Sequence, residues 1–264
     1  MAEQEIVHVA IAPPDTLDAD LVGKVAAIVN KGIYDTRLLL AGGFPKIVAH
    51  CQSLQAAESI TQSLRDVGLV AIVCRDTELH KRSQILSAHT LEFGTGEVLF
   101  RDKNGQVVRK RASDVFLILK GRRQTQIETE VTTTKMKFSL GATALMGGIP
   151  IWRRVRDKNR DVSFETEFFA RLYDWKPTEP CVEILQHAIN YSFVGEQMAV
   201  SSLTNFNTVV EKLKGVFPQA AFDNSLEKTL QAAVPSTSVQ EKLEIDCELI
   251  YLCRLAAHGL STFK

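Results

Sequence analysis

The N-terminal architecture follows from residues 32–74, which read GIYDTRLLLAGGFPKIVAHCQSLQAAESITQSLRDVGLVAIVC. A short helix begins at Ile33 and is broken by Gly42-Gly43, and a brief strand comes next. Ser53 is placed to cap the following helix, because a serine hydroxyl accepts a hydrogen bond from a free backbone N–H of the first turn. Gly68 ends that helix before a closing strand, since glycine tolerates the left-handed backbone of a helix end.

The preceding residues complete the pattern. Residues 6–12 are mostly apolar and stop at Pro13-Pro14, which is typical of a strand closed by prolines. Residues 15–20 supply cap and first-turn acids for a helix through Val29, whose apolar positions recur at helical spacing. The predicted order over residues 1–76 is therefore strand, helix, helix, strand, helix, strand.

This order resembles the C-terminal domain of the bacterial ribosomal stalk protein, which shares its fold with the ClpS protease adaptor. Gly32-Ile33 opens the helix as in that family, and Arg37 stands where the family has a lysine. The remaining matches fall on the expected turns: Pro45, Ser53, Ala57-Glu58, Leu64 and Gly68. The resemblance covers roughly residues 5–75 and implies a small binding module.

The resemblance also implies where a partner would bind. The stalk domain recruits its partners through lysines on its first two helices, and this chain keeps Lys24 and Arg37 in that region. We therefore expect a partner surface made of Lys24, Tyr34, Arg37 and Leu38. The leading expectation is a non-enzymatic protein-interaction or adaptor protein, whose partner and oligomeric state the sequence leaves open.

Beyond a polar connector at residues 77–88, the section 89–264 is expected to be β-rich and to end in packed helices. Asn104-Gly105 is a hairpin signal, because both residues tolerate positive φ. The phrase EVLFRDKNGQVVRKRASDVFLILKGRR, residues 97–123, resembles bacterial pleckstrin-homology-like domains. We expect an antiparallel meander or small barrel from the short alternating runs 91–93, 98–101, 107–111, 115–120 and 126–138.

Helical spacing returns further along the chain. Phe164, Phe168 and Leu172 lie at i, i+4 and i+8, which predicts a helix there. Residues 181–185 are expected to form a strand. Two further helices are expected, one striped by Leu203 to Leu213 and a last one over residues 238–259. The fold class predicted from all of these elements is α+β.

Charge is unevenly distributed although the net charge is zero. Residues 101–160 hold 15 Lys and Arg against 5 Asp and Glu, whereas residues 1–100 hold 8 against 12. Two roles are open for this basic excess. It binds a polyanion, which would be a nucleic acid or an anionic lipid, or it pairs with acidic residues inside the protein. The candidate polyanion-binding residues are Arg109, Lys110, Arg111, Arg122, Arg123, Trp152, Arg153, Arg154 and Arg156.

No motif indicates a catalytic or metal site. The chain has no G-x-S-x-G, no P-loop and no C-x-x-C, and its 5 cysteines and 6 histidines are scattered singly. We therefore expect no cofactor and no metal, with an enzyme of unrecognised class as the third hypothesis. The N-terminus lacks a signal-peptide pattern and no apolar run could span a bilayer, so we expect a cytoplasmic protein without a transmembrane segment.

Overall fold

The described residues of the protein form a mixed α and β fold with three sheets. The chain divides into two compact units, Met1–Arg123 together with Glu167–Lys264, and Gln124–Thr166. None of the helices in the described part of the chain is long and apolar enough to cross a membrane. The computed structural model describes residues 5–80, 85–138, 152–227 and 237–259, and only the backbone at 80, 124–138, 152–165 and 237–240.

The first six elements occur in the order that the sequence predicts. They are β1 (Val7–Ile11), α1 (Ala19–Val29), α2 (Ile33–Leu40), β2 (Lys46–Cys51), α3 (Leu54–Asp66) and β3 (Ala71–Arg75). The strands form an antiparallel sheet in the order β2-β1-β3, so that the first strand is central. One face of this sheet packs against the three helices around a core that includes Val9, Val25 and Leu64.

The predicted caps explain where these helices begin and end. Ser53 accepts a hydrogen bond from the Ala56 N–H at 3.3 Å, at the start of α3. At the other end Gly68 has a φ of +89°. The Leu69 N–H then donates to the Leu64 carbonyl at 3.1 Å, which satisfies a carbonyl that the helix leaves free. The boundary predicted at Gly68 is confirmed.

A three-stranded meander follows the N-terminal elements. The next elements are α4 (Asp76–His80), β4 (Ile85–Ala88), β5 (Thr90–Gly94), β6 (Glu97–Arg101) and β7 (Val107–Arg111). β5, β6 and β7 pair antiparallel, as the alternating runs predict. The segment 77–88, which we expected to be only a connector, contributes residues to α4 and all of β4.

The remaining strands form a mixed five-stranded sheet. The elements are β8 (Val115–Phe138), β9 (Trp152–Asp174), β10 (Cys181–Leu185), a 3-10 helix (Tyr191–Gln197), α5 (Ser202–Val216), β11 (Ala221–Leu226) and α6 (Thr237–Ala257). The strand order is β11-β8-β9-β10-β4, in which β10 runs parallel to β4 and β11 runs parallel to β8. Across the described residues no sheet closes, so the small-barrel alternative is wrong.

The helix expected around Phe164, Phe168 and Leu172 is also wrong, because these residues lie in β9. A spacing of four residues fits a helical face, but it also keeps side chains on one face of a strand, whose period is two. From Glu167 to Asp174 the strand is buried on both faces apart from Phe168, so the alternation that identifies a half-exposed strand is lost.

Helix α6 packs against both the N-terminal sheet and the five-stranded sheet. It contacts β1, β3 and α4. One hydrophobic cluster contains Ile72 of β3, Ile250 of α6 and Phe116 of β8, so the helix covers both sheets. On the other face of the five-stranded sheet, a second cluster joins the meander and α5, with Phe100 and Phe206 fully buried.

The core around Gly121 leaves no room for a side chain. An added Cβ there would lie 2.5 Å from Cζ of Phe169 and 3.0 Å from Cβ of Leu226. We expect Gly121→Ala to lower the free energy of unfolding by about 1–3 kcal/mol through overpacking. Gly23→Ala is the matched control, since nothing lies within 4 Å of a Cβ there and alanine favours helix α1. Urea unfolding measures both, and equal stability of Gly121→Ala and the natural protein would contradict the packing.

Candidate functional site

Helix α2 presents the residues expected to bind a partner. Tyr34 and Leu38 are 73% and 53% exposed, and the neighbouring Ile33 is 67% exposed. Arg37 is also exposed, whereas Thr36 and Leu40 on the opposite side are buried. Tyr34, Arg37 and Leu38 are therefore brought together on one exposed surface, and Ile33 is a member that the sequence reasoning did not include.

Lys24 lies elsewhere, on α1. Its ammonium pairs with Asp20 at 2.5 Å, and both side chains are more than half exposed. The hydrogen bond from Lys24 to Asp20 raises the pKa of the lysine. Lys24 lines a cleft, while Tyr34, Arg37 and Leu38 do not. The four predicted partner residues are thus divided between two surfaces.

This cleft has a volume of about 670 Å³, within the range of small-molecule pockets. Its walls come from the loop after β1, the first turns of α1, the turn after α3 and one face of α6. At its edge the Arg254 guanidinium donates to Oδ2 of Asp223 at 2.9 and 2.6 Å. Hydrogen bonds from Ser225 and Arg254 lower the pKa of Asp223 in spite of its burial.

Lys110 belongs to the core, although the sequence placed it in a polyanion surface. Its side chain is buried, and its ammonium hydrogen-bonds to the Asp174 carboxylate and, at 2.9 Å, to the Pro180 carbonyl. Burial raises the pKa of Asp174 while the Lys110 ammonium opposes this effect. Lys110 is thus matched inside the protein, which is the second of the two roles left open by the charge distribution.

The other basic candidates are divided. Arg123 donates to the Glu167 carboxylate at 2.9 and 2.7 Å and is matched in the same way. Arg109 is exposed and lies 3.9 Å from Glu97, and Arg111 on the same strand is exposed as well. Arg122 is partly exposed. The structure therefore leaves Arg109, Arg111 and Arg122 available to an anion.

The remaining members of that set lie in β9. Trp152, Arg153, Arg154 and Arg156 are strand residues whose side chains fall outside the described part of the structure. Whether the basic section binds a nucleic acid or an anionic lipid stays a prediction.

A buried ion-pair network was not visible in the sequence. Arg171 of β9 donates to Glu183 of β10 at 2.9 Å and to Glu244 of α6 at 2.6 Å. Glu248, one turn after Glu244, lies next to this group. Burial raises the pKa of Glu248 to about 7, against the opposing effect of the Arg171 cation. An arginine inside an apolar stretch of β9 is the sequence signal that could have indicated this network.

A second unpredicted group contains two histidines that the sequence separates by 42 residues. His8 of β1 and His50 of β2 are direct cross-strand partners, and their Nδ1 atoms lie 2.7 Å apart. The Nε2 atom of His8 lies 3.0 Å from Oδ1 of Asp76. His8 is buried and His50 is exposed. Partial burial and the neighbouring His8 lower the pKa of His50.

Comparison with known proteins identifies no relative. No protein-family model matches the chain, and neither a curated protein nor a solved structure is significantly similar to it. The resemblances to the stalk and ClpS domains and to pleckstrin-homology-like domains therefore stay predictions.

The buried pair of Lys110 and Asp174 leads to a stability prediction. We expect Lys110→Ala to destabilise the protein by about 3 kcal/mol, because it leaves a buried carboxylate without its cation. Arg111→Ala on the same strand is the control and should change stability by less than about 0.5 kcal/mol, since this side chain is exposed. Urea unfolding compares the two, and equal effects would show that Lys110 is not matched internally.

Glu248 leads to a pH-dependent prediction. The folded protein holds the Glu248 proton up to about pH 7, whereas the ordinary pKa is 4.5, so ionisation opposes folding as pH rises through this interval. We expect Glu248→Gln to stabilise the protein at pH 8 by about 2 kcal/mol, somewhat less than the pKa difference alone implies. The difference should vanish at about pH 4, where both states are mostly protonated. Urea unfolding at the two pH values measures it, and a pH-independent difference would contradict the assignment.

Proposed function

We propose that this chain is a protein-interaction module and that its α2 surface, Ile33, Tyr34, Arg37 and Leu38, binds an amphipathic helix of a partner protein. The observation that supports this proposal is that three large apolar side chains of one eight-residue helix are each more than half exposed. Single exposed apolar residues are ordinary in soluble proteins. Three of them on one helix, next to a cation, are typical of a binding surface.

The three exposed apolar side chains are not what holds helix α2 in place. Helix α2 is held by its buried residues Thr36 and Leu40 and by Lys46, whose ammonium donates to the Leu38 and Ala41 carbonyls at 3.1 and 3.0 Å. Ile33, Tyr34 and Leu38 add little to this packing because they face solvent. Their exposed apolar area is instead available to a partner, and tyrosine is among the residues that contribute most to protein interfaces.

Charge indicates the kind of partner. Arg37 and Lys31 are exposed on or next to α2, and Asp35 is the acid between them. The surface therefore carries a small positive excess, which favours acidic residues around the apolar face of the bound helix. An apolar helix face with acidic flanks would match both the apolar and the cationic parts of the α2 surface.

The experiment is a comparison of affinities. Partners captured from a native lysate are identified and produced recombinantly, and their dissociation constants are measured for the natural chain, Tyr34→Ala and Leu38→Ser. We expect each substitution to weaken binding at least about tenfold, the loss of roughly 1.4 kcal/mol that an interface anchor contributes.

Leu54→Ser is the matched control, because Leu54 is an exposed leucine on a different helix, α3. Its affinity should equal that of the natural chain. Unchanged affinity of Tyr34→Ala and Leu38→Ser would contradict the proposal. Self-association of the chain that these two substitutions abolish would show that the occupant is a second copy rather than another protein.

A further inference from the structure

The contact between His8 and His50 places two metal-ligating atoms face to face. The residues lie opposite each other on β1 and β2, their ring centroids are 4.8 Å apart and their ring planes are almost perpendicular. The atoms in contact are both Nδ1 atoms, at 2.7 Å. An imidazole nitrogen that carries no proton is a donor for transition metals, so the arrangement of the protons decides what this pair can do.

Asp76 decides the tautomer of His8. A carboxylate accepts hydrogen bonds only, so the proton of neutral His8 lies on Nε2, which is 3.0 Å from the carboxylate oxygen. Nδ1 of His8 then carries a lone pair that faces His50. In the absence of any other ligand, the neutral His50 ring donates its own Nδ1 proton to this lone pair.

We propose that His8 and His50 form a binding site for one divalent transition-metal ion of the Zn²⁺ and Cu²⁺ class, with Nδ1 of each ring as a ligand. Imidazole nitrogen is a preferred ligand of these ions. When the ion binds, the Nδ1 proton of His50 is released to water and Nε2 takes up a proton from water. Both rings then remain neutral, and each presents a lone pair to the metal.

The required movement is small. Two Zn–N bonds of about 2.0–2.1 Å at a tetrahedral angle place the nitrogens roughly 3.3 Å apart. The present separation is 2.7 Å. His50 is exposed and can turn outward by the difference, whereas His8 is buried and held by Asp76. Among the described residues no cluster of three or more protein ligands exists, so water completes the coordination.

The surroundings both help and oppose a cation. Asp76 helps, because a carboxylate that accepts the other N–H of a ligating histidine orients the ring and increases its basicity. Lys31 is the nearby cation that opposes a bound ion, since its charge acts on His50. A site with two protein ligands and an adjacent lysine should bind its ion at micromolar rather than nanomolar concentrations.

Calorimetric titration of the full chain with ZnCl₂ and with CuSO₄ at about pH 7.5, where neutral imidazole predominates, tests the proposal. We expect one ion per chain and a loss of affinity of at least about tenfold in His50→Asn. Asp76→Asn should weaken binding by roughly 10 to 100-fold, as when other carboxylates that orient a ligating histidine are removed. His187→Asn replaces an exposed histidine elsewhere and should bind like the natural chain.

Stability supplies a readout that does not depend on the titration heat. Bound metal should raise the melting temperature of the natural chain and of His187→Asn but not that of His50→Asn, because a ligand stabilises only the state that binds it. Since His50 is exposed and the amide of the asparagine can still donate to Nδ1 of His8, this replacement should leave the metal-free melting temperature nearly unchanged. Absence of binding at roughly 100-fold excess of either metal would overturn the proposal. The two rings would then be joined only by their hydrogen bond. Undiminished binding to His50→Asn would overturn it as well, by placing the metal elsewhere.

Discussion

The fold depends on burying helix α6 against two sheets at once. Its residues Leu249, Ile250, Leu252 and Cys253 face more than one side of the helix, and all four are buried. A helix that is apolar around most of its circumference is stable in water only when it is covered on most sides. The N-terminal sheet β2-β1-β3 covers one side of the helix and the five-stranded sheet covers another. The helix therefore belongs to a hydrophobic core that both sheets share.

The same helix carries charged groups that pair with buried charges of the sheet. Arg254 pairs with Asp223, and Glu244 pairs with Arg171 of the central strand β9. Tyr251 stacks on Tyr173 and donates to the Asp174 carbonyl at 2.7 Å. A buried charge without a partner would cost several kcal/mol, so these pairs also determine how the helix can sit on the sheet. The pairs Lys110–Asp174 and Arg123–Glu167 explain part of the charge asymmetry, since in each of them a base from residues 101–160 meets an acid from residues 161–264.

The sequence predicts what is local in this structure and misses what is not. The caps at Ser53 and Gly68 act within a few residues, and the boundaries they predict are confirmed. Strand β9 was missed because spacing by four residues suits a helix and a strand equally, and only burial on both faces separates the two. The pairing of His8 with His50 and of Lys110 with Asp174 depends on strand neighbours that no local pattern reveals.

The parts of the N-terminal sheet region that stability does not explain are the ones that point to function. Most of its apolar side chains are inside, on α1, α3 and the strands, where their burial stabilises the fold. Ile33, Tyr34 and Leu38 contribute less of this kind, because more than half of the surface of each residue remains in contact with water. The buried His8 is likewise a polar side chain where an apolar one would pack at lower desolvation cost. In both places the residue type departs from what folding favours, and this departure is what supports the proposed partner surface and the proposed metal site.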